Sequence, residues 1–390
     1  MTGRIIKIIN KKLMLQNFIF SFKEFLKIKN LPEDKKQYIF YAETNNDWPF
    51  LDPVIYELSK KENIIRVTSD KNDKYINDNN TYYIGKGSIR TIFFRTLKTK
   101  AFIMTLTDLG SYYLKKSIYP TQYFYIFHSI VSTHRAYNEK AFDNYDNIFC
   151  VGEHHKLEIK TREKIFKLKP KKLFNHGYGK LDKLIHDLKY QSQEKKNNLE
   201  KKTVLIAPTW GESSIVKSSI KRLIQNLSNT EFNLILRFHP MTYVNDLSTI
   251  EFLKKEFREN KKISFDEDKN SNKSYLESDI MISDWSGAAF EFAFATERPV
   301  IFIDTKPKTN NKNWRKLNLP CAEDQIREEI GIIIAESNFD NLGSILNEMI
   351  HHKEKWSEKI SKSRNRLVFN LGKSGFIASE KILQLTQDEL

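Results

Sequence analysis

SDIMISDWSGAAFEFAFATERPVIFID, residues 278–304, holds a fold in miniature. Two apolar runs, Ile280-Met281-Ile282 and Val300-Ile301-Phe302-Ile303, bracket a polar turn, Ser283-Asp284-Trp285-Ser286-Gly287. Runs this apolar mark strands buried on both faces, the habit of parallel sheets. Residues 287–296 read as the helix that joins them. The segment is therefore strand, turn, helix, strand, the repeating unit of an open α/β sheet. The first turn of such a helix presents backbone N–H groups at Ser286, Gly287 and Ala288. With the Ser286 hydroxyl and the helix dipole they suit a phosphate. Gly287 lets a ligand approach the backbone closely. The same residues also meet the needs of an ordinary helix N-cap, by Asp284 or Ser286. Glu291 stands among Ala288, Ala289, Phe290, Phe292, Ala293 and Phe294, and a carboxylate buried there needs a partner. Ligand hydroxyls, such as those of a ribose, would serve. So would Arg298 or a lysine at the helix edge.

The same rhythm runs through the whole chain. Apolar, β-branched or aromatic runs recur at 37–43, 63–69, 101–108, 122–129, 147–152 and 172–178, then at 203–210, 233–240, 262–266, 278–284, 299–305 and 331–337. Most are separated by enough chain for a crossover helix. The fold class expected is α/β, with two parallel sheets of Rossmann type. Between the halves, YQSQEKKNNLEKK (190–202) has no apolar face and reads as linker or exposed helix. The domains are accordingly 1–195 and 196–390. From about Glu354 the tail reads as helical with a break at GKSG (372–375), and its last helix could pack back on the first domain.

Composition narrows the classes. The 390 residues suit two domains, and 40% apolar with 13% aromatic residues suffices for packed cores. The formal charge is +15, from 64 basic and 49 acidic residues. That balance favours polyanions or an anionic membrane surface, and it equally reflects a chain rich in Lys, Asn and Ile. Because the lysines scatter along the chain instead of clustering, no nucleic-acid partner is expected. Cys150 and Cys321 form no C-x-x-C pair, which suggests no disulfide framework or cysteine zinc site and fits a reducing compartment. No apolar run reaches the length of a membrane span. The basic, interrupted N-terminus reads as a helix packed on the protein, or as one lying on a membrane surface. The sequence holds no H-E-x-x-H, no Walker A and no G-x-G-x-x-G, and no metal ligands are assigned.

In open parallel sheets ligands bind beyond the carboxyl ends of strands. The residues that follow the apolar runs are therefore the candidates: Asp108, His128-Ser129, Gly152, His176-Gly177, Pro208-Thr209-Trp210, His239-Pro240 and the knot from Ser283 and Asp284 to Ser286 and Gly287, with Arg237 beside His239. Histidine is the usual general base near neutral pH, which singles out His128, with His134 as a competitor. Arg237 and His239 would point the same way if their strand continued to 239, and together would hold a diphosphate. His154 and His155 read as surface residues.

The ordered set resembles the CDP-glycerol glycerophosphotransferase family, enzymes that prime and polymerise teichoic acids and related capsules. SDWSGAAFEFA resembles its T/S-D-Y-S-S-x-x-F-D/E-x-A block, RFHP (237–240) its R-x-H-P, and APTW (207–210) its A-P-T-W/F. HGYGKLDKL (176–184) resembles G-x-P-R-x-D-x-L, FHS (127–129) stands where the family has W-H-G, and GKSGFIASEKIL (372–383) resembles its closing G-x-A-S-x-R-I. Ser129 stands where the family has glycine, and Gly287 where it has a second serine. Residues 1–120 lie outside the resemblance.

The resemblance implies a GT-B fold with the active site in the cleft, residues 1–195 on the acceptor side and 196–390 holding the nucleotide. It implies transfer of an alditol phosphate from a CDP-linked donor to an acceptor hydroxyl, with release of CMP. His128 would be the general base, and His239 a second catalytic residue. Arg237, Thr209, Ser283, Asp284, Ser286, Gly287 and Glu291 would bind the donor. No cofactor is assigned, and the chemistry leaves room for a divalent cation. The implied partners are a lipid-linked or saccharide acceptor and an anionic membrane, at the inner face of a bacterial plasma membrane, reached from the cytoplasm. A nucleotide-sugar glycosyltransferase of the same fold, making capsule or lipooligosaccharide, is the alternative.

Overall fold

A computed structural model of the chain describes residues 2–194, 202–268 and 271–387. The polar stretch expected as a linker falls largely outside these residues, from 195 to 201. The chain forms two compact units. The first comprises residues 1–128, 138–180 and 369–390, the second residues 129–137 and 181–368.

In the first unit seven strands lie parallel in the order β3-β2-β1-β4-β5-β6-β7. They are β1 (Tyr38–Ala42), β2 (Ile64–Thr68), β3 (Thr81–Tyr83), β4 (Ala101–Met104), β5 (Gln122–Ile126), β6 (Asn147–Cys150) and β7 (Lys172–Asn175). In the second unit six strands lie parallel in the order β10-β9-β8-β11-β12-β13. They are β8 (Thr203–Ile206), β9 (Asn233–Leu236), β10 (Ile263–Phe265), β11 (Ile280–Ser283), β12 (Val300–Ile303) and β13 (Gly331–Ile334). Both orders reverse direction beside the first strand, the doubly wound pattern of mononucleotide-binding sheets. The switch lies between β1 and β4 in one unit and between β8 and β11 in the other.

Burial explains the apolar runs. β1, β4, β6, β8, β11 and β12 are buried along their whole length, as a central strand covered by helices on both faces must be. In the second unit Ile206, Leu236, Ile282 and Ile303 meet Leu223, Ile224, Leu253 and Leu346 from the flanking helices in one core. Each such side chain contributes about 1.5–3 kcal/mol by leaving water.

Three expectations about extent need correction. β9 ends at Leu236, so Arg237 and His239 do not alternate on a strand; His239 instead caps a short helix, Pro240–Asn245. The single cut at 195/196 is not the division seen. The chain passes between units within the helix Gly179–Glu194, and residues 129–137 belong to the second unit. The last helix, Ser374–Gln387, belongs to the first unit and packs on the helix Trp48–Leu58. Gly375 permits that approach, since a Cβ there would lie 2.3 Å from the Pro53 carbonyl oxygen. Finally, His155 is not a surface residue: it is buried with its ring 3.9 Å from that of Phe127.

Candidate functional site

At the switch of the second sheet, the turn after β8 meets the turn after β11. Asp284, fully buried, accepts the Thr209 N–H at 2.6 Å and the Ile215 N–H at 3.0 Å. Burial pushes its carboxyl above the usual range, while those two backbone N–H groups pull it back. Ser283 donates to the Ala207 carbonyl at 2.7 Å, and Ser214 donates to that of Thr209 at 2.7 Å. Ser283, Asp284 and Thr209 thus lock the two turns together, and the polar knot is first a structural clasp. Ser286 does cap the next helix, Gly287–Thr296, accepting the Ala288 N–H at 3.3 Å. Glu291 lies buried on that helix. The Arg298 guanidinium engages the carbonyls of Tyr275, Leu276 and Ser278 instead of Glu291.

Gly287 and Ser129 are near neighbours, for a Cβ on Gly287 would lie 3.3 Å from the Ser129 Oγ. These are two of the positions at which the motifs depart from the family pattern. A hydroxyl from the 129 side occupies the space beside 287, where a side chain would crowd it.

Of the two expected diphosphate ligands, Arg237 is tied to its own unit. Its Nη1 pairs with Asp266 at 2.6 Å and donates to the Ser271 carbonyl at 2.8 Å and Ser274 Oγ at 3.0 Å. His239 accepts the Met241 N–H through Nδ1 at 3.1 Å. A ring nitrogen that accepts carries no proton, so Nε2 of the neutral ring is the donor.

Two cations that no motif marked lie around the same turns. Lys308 sits 3.6 Å from the Trp210 ring centroid, and Trp210 is itself 5.9 Å from the His239 ring. Burial pushes the Lys308 ammonium down to about 8, against the pull of Asp284. Arg327, only 3% exposed, stacks its guanidinium 3.8 Å from the Trp285 ring centroid. Its Nε and Nη2 have no hydrogen-bond partner among the described residues. Burial lowers its pKa too, opposed by the charges of Asp304, Asp324 and Asp284. A buried guanidinium without acceptors is costly, so this is a place where an anion would be held. Sequence reasoning missed both because single cations in a lysine-rich chain carry no pattern.

In the first unit His128 lies just beyond β5. Its Nδ1 is 3.0 Å from the Thr105 carbonyl and 3.2 Å from the Tyr125 hydroxyl. A carbonyl can only accept, so this bond needs the proton on Nδ1 and makes Nε2 the basic nitrogen. Thr105 follows β4 and donates its hydroxyl to Asp47 at 2.7 Å. Asp47, beyond β1, also accepts the N–H groups of Glu43 and Thr44, at 3.0 and 2.9 Å. Burial raises the Asp47 carboxyl, while the Thr105 hydroxyl, Thr44 and the nearby charge of His128 lower it. Asp47 and Thr105 flank the switch between β1 and β4 and were not foreseen from the sequence. His134, the competing candidate, is buried with Nε2 3.4 Å from the Cys321 Sγ, a packed position. Among the described residues no group of three or more His, Cys, Asp or Glu could hold a metal ion.

Residues 125–368 match the family described as CDP-glycerol:poly(glycerophosphate) glycerophosphotransferase. The chain belongs to this family. His128, Arg237, His239 and the 283–291 block all fall inside the matched segment, whereas Asp47 and Thr105 precede it. The chain is 34% identical over 113 residues to the teichoic acid poly(glycerol phosphate) polymerase of Bacillus spizizenii, a match covering 27% of each chain. The matched segment thus spans about a quarter of that relative's length. Among solved structures, the wall teichoic acid polymerase TagF superposes with a TM-score of 0.58 at 15% identity, covering 100% of this chain and 98% of that one. The UDP-GlcNAc 2-epimerase of Methanocaldococcus jannaschii superposes at 0.55 with 15% identity, covering 90% and 99%. These likenesses establish the fold of the chain as two parallel-sheet α/β domains of GT-B type.

Proposed function

We propose that this glycerophosphotransferase moves glycerol phosphate, or a related alditol phosphate, from a CDP-linked donor to a hydroxyl of a polymer or lipid-linked acceptor. The observation that carries the reading is the pair of buried or half-buried cations, Lys308 and Arg327. Neither forms an ion pair among the described residues, and both lie by the turns that end β8 and β11. They suit the diphosphate of the donor. His239 Nε2–H and the first turn of the helix Gly287–Thr296 would add uncharged donors. Glu291 would accept from the ribose. Arg237, held by Asp266, would shape the pocket more than meet the phosphates.

In the reaction the acceptor oxygen attacks the phosphorus that bears the glycerol. The new P–O bond forms as the bond to CMP breaks, and CMP leaves with the bridging electron pair. His128 Nε2 takes the acceptor proton. Lys308 and Arg327 meet the charge that grows on CMP. Such transfers depend mainly on positioning and charge stabilisation. The +15 charge and the basic helix Thr2–Asn30 support work at an anionic membrane surface. No helix among the described residues is long and apolar enough to cross a membrane.

Calorimetric titration with CDP-glycerol, CDP-ribitol, UDP-GlcNAc and GDP-mannose tests the reading. Selective binding of a CDP-alditol is expected, weakened at least tenfold by Lys308→Gln or Arg327→Gln, on the order expected for a charge-assisted contact. Preference for a nucleotide sugar would overturn it.

A further inference from the structure

The first unit has a cleft of about 810 Å³ at the amino ends of its strands. It is lined by the residues that enter β1, β4, β5, β6 and β7, among them Gln37, Lys100, Gln122, Asn147 and Lys172. His128 lies beyond the other end of β5. Five residues of strand separate the two places, roughly 17 Å of sheet. The cleft is therefore not the place where the candidate base acts.

Six lysines line it: Lys36, Lys98, Lys100, Lys116, Lys169 and Lys172. Its three acids are already engaged. Glu33 pairs with Lys36 at 3.3 Å and Lys98 at 3.5 Å, Asp146 with Lys116 at 3.5 Å, and Asp143 with Arg162 at 2.7 Å. That leaves Lys100, Lys169 and Lys172 without an ion pair among the described residues. A different kind of group adds to them. Asn147, 1% exposed, donates from Nδ2 to Gln122 Oε1 at 3.1 Å, but its Oδ1 has no hydrogen-bond partner among the described residues. A buried acceptor of this kind calls for a donor. Bare phosphate at neutral pH offers the lysines what they need but gives Asn147 little; a polyol phosphate offers both.

We propose that this cleft binds a hydroxyl-bearing phosphodiester chain, the acceptor or product polymer, several repeats away from the end being extended. The choice of polymer rests on the transfer reading above. A concave site lined by a buried amide fits a flexible chain better than the plane of a bilayer.

The test is equilibrium binding of poly(glycerol phosphate) of defined length to the full chain, without donor, for the wild type and for a Lys100→Gln/Lys169→Gln/Lys172→Gln variant. The lysines are not buried, so the variant should fold. Loss of three phosphate contacts should weaken binding on the order of 100-fold and lower the slope of log affinity against log salt by about 2. Turnover with monomeric glycerol phosphate as acceptor should be unchanged. Unaltered polymer affinity and salt slope would overturn the proposal, even if the enzyme transfers normally. So would loss of binding to phosphatidylglycerol vesicles with polymer binding intact, which would assign the lysines to a membrane. If lysine-dependent polymer binding is found in a protein that uses no CDP-alditol, the cleft stands and the transfer reading falls.

Discussion

His128 and Lys308 show what could and could not be read at the scale of one residue. A histidine at the end of an aromatic strand is conspicuous, and its position could be named from FHS alone. Which nitrogen is basic could not, because that depends on the Thr105 carbonyl, some twenty residues earlier in the chain, which the sheet brings to 3.0 Å. His128→Ala should lower turnover about 10²–10⁴-fold, the usual contribution of a general base, and leave donor binding within about twofold. Steady-state kinetics beside calorimetry checks this; equal loss of both would remove the base assignment. Lys308 has no sequence signal, yet it gives the clearest pH prediction. Its folded-state value near 8 lies below the ordinary 10.5. An anion binds the protonated form, so donor affinity should be full below pH 8. It should fall as pH rises through 8, by up to about tenfold per unit, until the pKa of the bound state is reached. Lys308→Gln should flatten that limb. A wild-type affinity independent of pH from 7 to 9.5 would exclude Lys308 from the donor site.

At the scale of elements, the strands were legible where burial on both faces forced continuous apolar runs. β3 was not, since a three-residue edge strand, Thr81–Tyr83, leaves no periodicity to read. β9 was overread because Phe238 prolongs the apolar pattern past its end at Leu236. The SDWSG knot was read as a ligand site or a cap. Ser286 caps the helix Gly287–Thr296, and Asp284 clasps the turn after β8. Asp284→Ala would leave the Thr209 and Ile215 N–H groups buried without acceptors, at about 1–3 kcal/mol each. Urea unfolding should show that loss, with donor binding weakened in step. A second prediction concerns Ser129 and Gly287. Gly287→Ser puts a side chain within 3.3 Å of the Ser129 Oγ and should impair turnover alone. Adding Ser129→Gly should relieve it. A double-mutant cycle should then give a coupling of about 0.5–3 kcal/mol, whereas additive effects would mean the two positions do not sense each other.

For the whole molecule, two parallel sheets were readable because the strand rhythm repeats in both halves. The division between the units was not, because the polarity of a segment says nothing of the path the chain takes. A returning helix such as Ser374–Gln387 joins the first unit through packing on Trp48–Leu58, and only Gly375 hints at that close approach. Residues 1–120 carried no motif, yet they supply Asp47 and Thr105 to the surroundings of His128. The central claim is the chemistry, and its most direct test is analysis of both products from one incubation. Purified protein, CDP-glycerol and a glycerol phosphate oligomer should yield CMP and new phosphodiester in equal amounts, with both formed about 10²–10⁴-fold more slowly by His128→Ala. Release of CDP in place of CMP, or of CMP without any new phosphodiester, would contradict the account.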